Sequence, residues 1–243
     1  MKEWITGRNP VYECLRARRR HFFRLWINKN SKVQGRVEDI YNLAKNTKLR
    51  IEAVDGRMLA DISERHQGIA LEASAYPYQD MPAIQENVSQ SAKPMFILLI
   101  DQVQDVQNLG TLIRSAEIFG VHGIVMPANR NAGITPAVVN ASSGASEHLL
   151  IARMNISRAI DELKENGAWI VGLDMENALM LEEINLSGPL AVVVGSEGKG
   201  MRRLVREKCD HIARIPMAGK VASLNAAVAG SIALYKAFIQ RME

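Results

Sequence analysis

Apolar positions recur along the chain with two alternating periods, one typical of helices and one typical of strands. In the first third, helical spacing falls on "NPVYECLRARR" and "GRVEDIYNLAKNTK", and strand spacing falls on "FFRLWIN", "LRIEAVD" and "GIALEASAY". The stretch "RMLADIS" predicts a short helix between the last two strands. Strands that alternate with helices in this way predict a small α/β domain.

From Met95 onward the same alternation continues with more strongly apolar strands. The runs "MFILLID" and "LAVVVG" are nearly continuous, which is typical of parallel strands covered on both faces. Further strands are predicted at "HGIVM", "AWIVGLD" and "HIARIP". Helices are predicted at "NLGTLIRSAEIFG", "TPAVVNASSG", "ISRAIDELKENG", "MRRLVREK" and "SLNAAVAGSIALYKAFIQR". Residues 95–243 are therefore expected to form an α/β domain with a parallel sheet.

Between these two regions, residues 77–94 contain three prolines and little periodicity, which indicates a linker. The charge balance changes at the same place. Residues 1–76 carry 15 Lys/Arg and 9 Asp/Glu, a net of +6, whereas the remainder carries 15 and 17, a net of −2. This asymmetry favours a polyanion-binding domain at residues 1–76, although a solvated basic face would give the same counts.

Composition narrows the class of protein further. No stretch of about 18 apolar residues predicts a membrane span, and the first residues lack the apolar segment of a secretory signal. The two cysteines, Cys14 and Cys209, are far apart and form no CxxC pair. We therefore expect a reduced, cytoplasmic protein without a structural zinc ion or another metal.

Three segments of the second region carry candidate chemistry. In "LAVVVGSEGKGM" a strand ends in a glycine-rich loop whose spacing fits neither a Walker nor a Rossmann nucleotide motif, so it is either a tight turn or a ligand-binding loop. In "DQVQDVQNLGTLIRSAEIFG", Asn108 is expected to cap a helix, and Arg114 lies in apolar surroundings as an exposed, ion-paired or functional residue. In "IPMAGKVASLNAAVAG", Ser223 and Asn225 precede a helix that either could cap. The polar "NASSGASEHLL" is expected to form a turn.

Taken in order, these segments resemble the three motifs of the SpoU (TrmH-type) branch of the SPOUT RNA methyltransferases. The resemblance covers roughly residues 95–243, and "ITGRNPVYECLRA" with "HQGIALEA" resembles the L30e-like domain of its ribosomal-RNA members. One departure is Val106, where the family usually has proline after Asp105. The resemblance implies an α/β trefoil-knot domain with a parallel sheet, preceded by a small L30e-like α/β domain at residues 1–76.

The family's activity then gives expectations for this chain. The resemblance implies methyl transfer from S-adenosylmethionine (AdoMet) to a ribose 2′-hydroxyl, with the guanosine 2′-O-methyltransferases of 23S rRNA as the most similar members. The implied catalytic residues are Arg114, Asn108, Glu197, Ser223 and Asn225. The implied cofactor-binding residues are Gly195, Ile215, Leu224, Met217 and Gly200.

The family also implies partners. Its active sites form across a homodimer of the knotted domain, with Arg114 reaching the cofactor of the other copy. The basic first domain is expected to hold RNA through a group of arginines. These are Arg8, Arg16, Arg18, Arg19, Arg20 and Arg24. Two alternatives stay open: a tRNA ribose methyltransferase, and a ribosomal RNA-binding factor without catalytic activity.

Overall fold

The computed structural model describes residues 2–129, 131–176, 178–198, 200–221 and 223–242. Its residues fall into two compact units. The first comprises residues 2–77 together with residues 133–148, and the second comprises residues 78–132 and 149–242. The chain therefore leaves the first unit, returns to it for 16 residues and leaves it again.

Eleven strands and nine helices are present in the described residues. The strands are β1 (Lys2–Thr6), β2 (Phe22–Asn28), β3 (Arg50–Val54), β4 (Ile69–Ser74), β5 (Phe96–Ile100), β6 (Gly123–Met126), β7 (Ile151–Arg153), β8 (Trp169–Leu173), β9 (Leu179–Met180), β10 (Leu190–Val194) and β11 (His211–Arg214). The helices are α1 (Arg8–Ala17), α2 (Arg36–Asn46), α3 (Gly56–Ala60), α4 (Met81–Ser89), α5 (Val106–Ile118), α6 (Pro136–Ala141), α7 (Ile156–Glu165), α8 (Arg203–Glu207) and α9 (Ala226–Gln240).

The first unit is a four-stranded sheet in the order β1-β4-β2-β3. Strand β4 is antiparallel to both its neighbours, and β2 pairs with β3 in parallel. Helices α1 and α2 bury their apolar stripes, including Val11, Leu15 and Ile40. These buried residues fall at the helical spacing predicted from the sequence, so both predicted helices are confirmed.

Residues 133–148 complete this unit. They form α6 and a short 3-10 turn at Ala145–Glu147, both of which belong to the first unit although they follow β6 in the chain. Ser142, Ser146 and Glu147 are at most 1% exposed. The segment expected to be a simple turn is therefore buried, and sequence pattern does not reveal this because its residues are small and polar.

The second unit is built on seven parallel strands in the order β7-β6-β5-β10-β8-β11-β9. Every residue of the central strands β5 and β10 is buried, as expected for a parallel sheet covered on both faces. Helix α9 packs closely on α5, since a methyl group at Gly230 would lie 2.4 Å from Cδ2 of Leu112. The α/β fold class predicted from the sequence is confirmed.

The segment predicted as a linker, residues 77–94, contains helix α4. Asp80 caps this helix by accepting from the backbone N–H of Ala83 at 3.1 Å. Met81 and Ile84 are buried in the core of the second unit. Proline at the second helical position is compatible with a helix start, so Pro82 does not prevent the helix. No helix of the described residues is both long and apolar enough to cross a bilayer.

Candidate active site

Four loops emerge at one edge of the sheet in the second unit. Strands β5, β10, β8 and β11 are consecutive neighbours and run parallel, so the loops after them lie on the same side. In open α/β sheets this carboxyl edge is where ligands bind. Most of the predicted site residues of the second unit lie in these loops or at the helix starts that follow them.

The glycine-rich loop after β10 folds back on itself. Ser196 and Gly200 exchange two backbone hydrogen bonds, each N–H donating to the other carbonyl at 3.0 Å. Gly198 and Gly200 have φ values of 81° and 62°, which glycine adopts without strain. A Cβ at Gly195 would lie 2.3 Å from the carbonyl carbon of Gly200. Only glycine therefore allows the backbone to approach itself here.

This loop forms one wall of a cavity of about 240 Å³. Four of the five residues expected at the cofactor line it, namely Gly195, Gly200, Ile215 and Leu224. Met217 is half-buried and is not among the lining residues, so the structure does not bring it to this cavity. The sequence left two interpretations of the glycine-rich loop open, a tight turn and a ligand-binding loop. In the structure the loop is a tight turn that also lines a cavity.

The walls of this first cavity combine apolar and acidic groups. Met175 and Leu224 are large apolar side chains that are 41% and 37% exposed. Asp174 and Glu197 contribute carboxylates to the lining. Asp174 accepts from the backbone N–H of Met175 at 2.7 Å and lies 3.4 Å from Nε of Arg206. Such a lining suits a ligand that has an apolar body and a positive charge.

Beside the cavity, three predicted catalytic residues form a hydrogen-bonded group. Asn108 Nδ2 donates to Oε2 of Glu197 at 3.1 Å, and Asn225 Nδ2 donates to Oε1 of Glu197 at 3.3 Å. Asn225 Nδ2 also donates to Oδ1 of Asn108 at 3.0 Å. We call these residues the amide–carboxylate triangle. The two amides fix the Glu197 carboxylate, which is exposed to solvent.

Helix ends explain how the triangle is positioned. Asn225 caps α9, because its Oδ1 accepts from the backbone N–H groups of Ala227 and Val228 at 3.0 and 3.2 Å. The predicted cap of α5 was wrong. Asp105 is the capping residue, and it accepts from the backbone N–H of Asn108 at 2.7 Å. The Asn108 side chain is thereby left to reach Glu197.

A second cavity, of about 490 Å³, also has Glu197 in its wall. Its wall is the loop after β5, together with the start of α5. Three residues, Ser196, Glu197 and Ala226, line both cavities. Glu197 therefore lines two neighbouring cavities, an arrangement that would allow a group to pass from a ligand in one to a ligand in the other.

The other two predicted catalytic residues differ in position. Ser223 lines the first cavity. Arg114 is exposed on α5, six residues after Asn108, which places it about 240° around the helix axis from Asn108. Within one chain, Arg114 therefore does not share a helix face with the triangle.

Sequence reasoning missed two acidic residues that support the site. Asp101 is fully buried at the end of β5 and accepts from the backbone N–H and Nε of Arg202 at 2.9 and 2.7 Å. Asp174 follows β8 and lines the first cavity. Each is the last residue of a strand predicted from the sequence, and that position at the carboxyl edge is the signal that could have identified them.

In the first unit, the structure corrects one predicted RNA-binding residue. The Arg20 side chain has 0% exposure, and its Nε and Nη2 donate to the two carboxylate oxygens of Glu147 at 2.8 Å each. Burial alone would lower the pKa of Arg20, but the hydrogen bonds and charge of Glu147 raise it above its ordinary value. Arg20 is a buried structural cation and is not accessible to a phosphate.

The remaining arginines of this group are exposed to different degrees. Arg8, Arg16 and Arg18 are exposed, whereas Arg19 is half-buried beside the hydroxyl of Tyr76. Arg24 is half-buried as well, donates to Glu72 at 2.9 Å and lies over the rings of Trp4 and Trp26. Within this predicted group, the exposed arginines therefore lie in α1 or directly after it.

Comparison with solved structures identifies the fold. The SpoU methyltransferase AviRb from Streptomyces viridochromogenes, solved in complex with AdoMet, matches with a TM-score of 0.83 and 22% identity over 100% of this chain and 91% of AviRb. The AdoMet-bound rRNA methyltransferase from Sinorhizobium meliloti matches with a TM-score of 0.79 and 22% identity over 97% and 86%. The two units therefore have the fold of SpoU-type methyltransferases.

Sequence comparison gives the family. Residues 95–235 match the model of the SpoU rRNA methylase family, and residues 4–79 match that of RNA 2′-O ribose methyltransferase substrate binding. A Bacillus subtilis protein assigned to the TrmH family of tRNA/rRNA methyltransferases is 38% identical over 98% of this chain and 96% of its own length. A Staphylococcus saprophyticus protein with the same assignment is 36% identical over 98% and 95%. The chain belongs to the SpoU rRNA methylase family, and its class of activity is methyl transfer to RNA.

Proposed function

We propose that this protein transfers a methyl group from AdoMet to the ribose 2′-hydroxyl of a guanosine in 23S rRNA. The observation that carries the proposal is the pair of cavities that meet at Glu197, whose carboxylate is held by Asn108 and Asn225. One cavity suits the methyl donor, and the other suits the nucleotide that accepts the methyl group.

The residues of the first cavity fit AdoMet. Gly195, Ile215 and Leu224 would hold the adenosyl group through backbone contacts and apolar surface, and the carboxylates of Asp174 and Glu197 suit the positively charged sulfonium and ammonium groups. When bound, AdoMet supplies an electrophilic methyl group that needs little further activation. The protein's own residues must then align the acceptor hydroxyl and stabilise its loss of a proton.

We assign that task to the triangle and to Arg114. The triangle is rigid enough to orient a ribose, since each amide is fixed by a second hydrogen bond. A guanidinium keeps its proton at neutral pH, so Arg114 would clamp the adjacent phosphate and stabilise the forming alkoxide, while the proton leaves to phosphate or water. Ser223, on the cavity wall, would help to orient the nucleotide.

The position of Arg114 supports a homodimer through the second unit, in which Arg114 serves the cavity of the partner copy. Helix α9 presents Val228, Ile232 and Tyr235, spaced by four and three residues, with exposures of 44%, 37% and 52%. Such an apolar stripe on one helix face fits a second copy of the chain. Sedimentation equilibrium should give a dimer for the wild type and a monomer for Ile232→Glu. The control Leu204→Glu, at an exposed apolar residue of α8, should stay dimeric.

The first unit would hold RNA through Arg8, Arg16 and Arg18, the exposed members of the predicted group of arginines. Its match to a substrate-binding family model supports an RNA role. The two free cysteines, Cys14 and Cys209, fit the reducing cytoplasm in which rRNA is modified. The second candidate substrate is tRNA, because the names of the curated relatives include both RNAs.

The deciding experiment maps 2′-O-methyl groups after incubation of the enzyme and AdoMet with unmodified 23S rRNA or with unmodified tRNA. A new methylated guanosine in 23S rRNA is the expected result. Methylation of tRNA alone would show that tRNA, and not 23S rRNA, is the substrate. Arg114→Lys should abolish most of the activity because lysine lacks the planar fork. Arg158→Lys, at an exposed arginine of α7, is the matched control and should retain activity.

A further inference from the structure

The second cavity contains a residue in an unfavourable backbone conformation. Gln102, the second residue after β5, has a φ of 68°, in the left-handed region that residues other than glycine rarely adopt. The loop itself does not require a glutamine, because glycine would make the same turn without strain. Strain of this kind is often retained where a side chain serves a binding site.

The surroundings of Gln102 show what such a side chain would meet. Gln102, Gln104, Asp105 and Asn108 line the second cavity together with Glu197. The Asn108 amide is bound within the triangle, and Asp105 caps α5. Among the described residues, neither glutamine amide has a hydrogen-bond partner within the protein. Both amides are therefore available to a ligand.

The charge of the lining decides which part of a nucleotide would bind there. The described lining residues include the carboxylates of Asp105 and Glu197 and no lysine or arginine. A phosphate would be repelled by these carboxylates, whereas a neutral base would not. A glutamine amide carries a donor beside an acceptor and so matches the edge of a nucleobase that presents the complementary pair.

We propose that Gln102 and Gln104 bind the edge of the target base and determine which nucleotide is methylated. The inference rests on the proposed function, since it assigns the second cavity to the acceptor nucleotide. Because Glu197 lines both cavities, a base held by these glutamines would place its ribose near the methyl donor's cavity. The ligand class is a nucleobase with adjacent hydrogen-bond donor and acceptor groups.

The test uses Gln102→Gly, which removes the amide and relieves the backbone strain together. We expect the melting temperature to stay the same or rise, AdoMet affinity measured by calorimetry to stay within about twofold, and kcat/KM for RNA to fall about tenfold. The decisive readout is discrimination, the ratio of kcat/KM for RNA with the mapped target base to that with another base. This ratio should fall in Gln102→Gly, and Gln104→Ala should lower it as well.

Lys48→Gly is the matched control, because Lys48 is exposed, has a φ of 55° and lies in the first unit. It should relieve the same backbone strain and leave the discrimination ratio at the wild-type value. An unchanged ratio in both Gln102→Gly and Gln104→Ala, with a wild type that methylates the RNA, would overturn the inference alone. Absence of any ribose methylation by the wild type would instead overturn the proposed function, and the inference with it.

Discussion

Glu147 in the first unit and Glu197 in the second each hold a carboxylate between two nitrogen donors, but their surroundings are opposite. Glu147 is 1% exposed and receives two hydrogen bonds from Arg20, whose side chain has 0% exposure. Glu197 is exposed, receives its hydrogen bonds from two neutral amides and lines two cavities. One carboxylate is closed off by its partner, and the other remains accessible to a ligand.

From this difference we expect Glu147 to contribute to stability and Glu197 to contribute to activity. A buried carboxylate that loses its cation keeps the full desolvation penalty, so Glu147 and Arg20 depend on each other. Burial also raises the pKa of the neighbouring Cys14 thiol, and the negative charge of Glu147 raises it further. An exposed carboxylate has little desolvation to lose, and a substitution of Glu197 should therefore affect chemistry with little effect on folding.

The largest expected effect comes from breaking the buried pair. Glu147→Ala should lower the free energy of unfolding by about 3 kcal/mol, because the buried Arg20 loses two of its hydrogen bonds and keeps Glu3, at 3.1 Å, as its remaining carboxylate partner among the described residues. Urea denaturation followed by circular dichroism measures this change. The double variant Arg20→Met with Glu147→Leu should recover most of the loss. A control at the exposed pair Arg203–Glu207, Glu207→Ala, should cost less than about 1 kcal/mol.

A substitution in the amide–carboxylate triangle should instead lower activity and leave stability nearly unchanged. Glu197→Gln keeps the side-chain shape but removes the acceptor charge that the two amides hold, so methyl transfer should fall about 100-fold. The free energy of unfolding should change by less than about 0.5 kcal/mol. Single-turnover assays and urea denaturation test the two halves of this prediction. Equal losses of stability and activity would show that Glu197 is structural, as Glu147 is.

A smaller effect distinguishes the exposed arginines from Arg20. Arg16→Gln and Arg18→Asn should each weaken RNA binding a few-fold and reduce the slope of log affinity against log salt by about 1. Asparagine is chosen at position 18 because Arg18 has a φ of 54°. Fluorescence anisotropy at several salt concentrations measures the slope. Unchanged slopes in both variants would contradict a phosphate contact by α1.

The smallest effect concerns His122, a buried polar residue that forms no ion pair within the described part of the chain. His122 is 9% exposed, and its Nδ1 accepts from the backbone N–H of Phe96 at 3.1 Å. Burial lowers the pKa of His122 below its ordinary value of 6.5, and the charges of Arg241 and Lys93 lower it further. The folded state thus favours neutral His122, and stability is greatest above pH 6.5 and falls as the pH decreases.

His122→Asn should flatten this pH dependence, since asparagine can still accept from Phe96 but does not titrate. Urea denaturation between about pH 7.5 and about pH 5.5 measures the slope, to which one proton contributes at most about 1.4 kcal/mol per pH unit. A steeper loss of stability at low pH in the variant would contradict the sign of the shift.

The sequence predicted the strands and helices well where apolar spacing was strong. The runs around Phe96–Ile100 and Leu190–Val194 became the central buried strands, and the family motifs named the members of the triangle. Long-range pairing was not predictable. Arg20 is indistinguishable from Arg18 and Arg19 in "RARRR", because its burial depends on Glu147, which is 127 residues away.

Predictions for the polar residues of the loops were only partly correct, because these positions also depend on the three-dimensional structure. Asp105 and Asn108 are both common capping residues, and only the helix start shows that Asp105 caps α5. Met217 lies in the third motif between residues that line the cavity, yet it is not part of the lining. The fold, and not the motif, decides which side chains of a loop face the site.

The return of residues 133–148 to the first unit has a consequence for synthesis. Glu147 lies 127 residues after Arg20, so the first unit cannot be completed until residues 78–132 of the second unit have been synthesised. During that interval β5 and β6 are already available to pair. Synthesis of the two units is therefore interleaved, and a fragment that ends at residue 77 would lack the buried segment at residues 133–148.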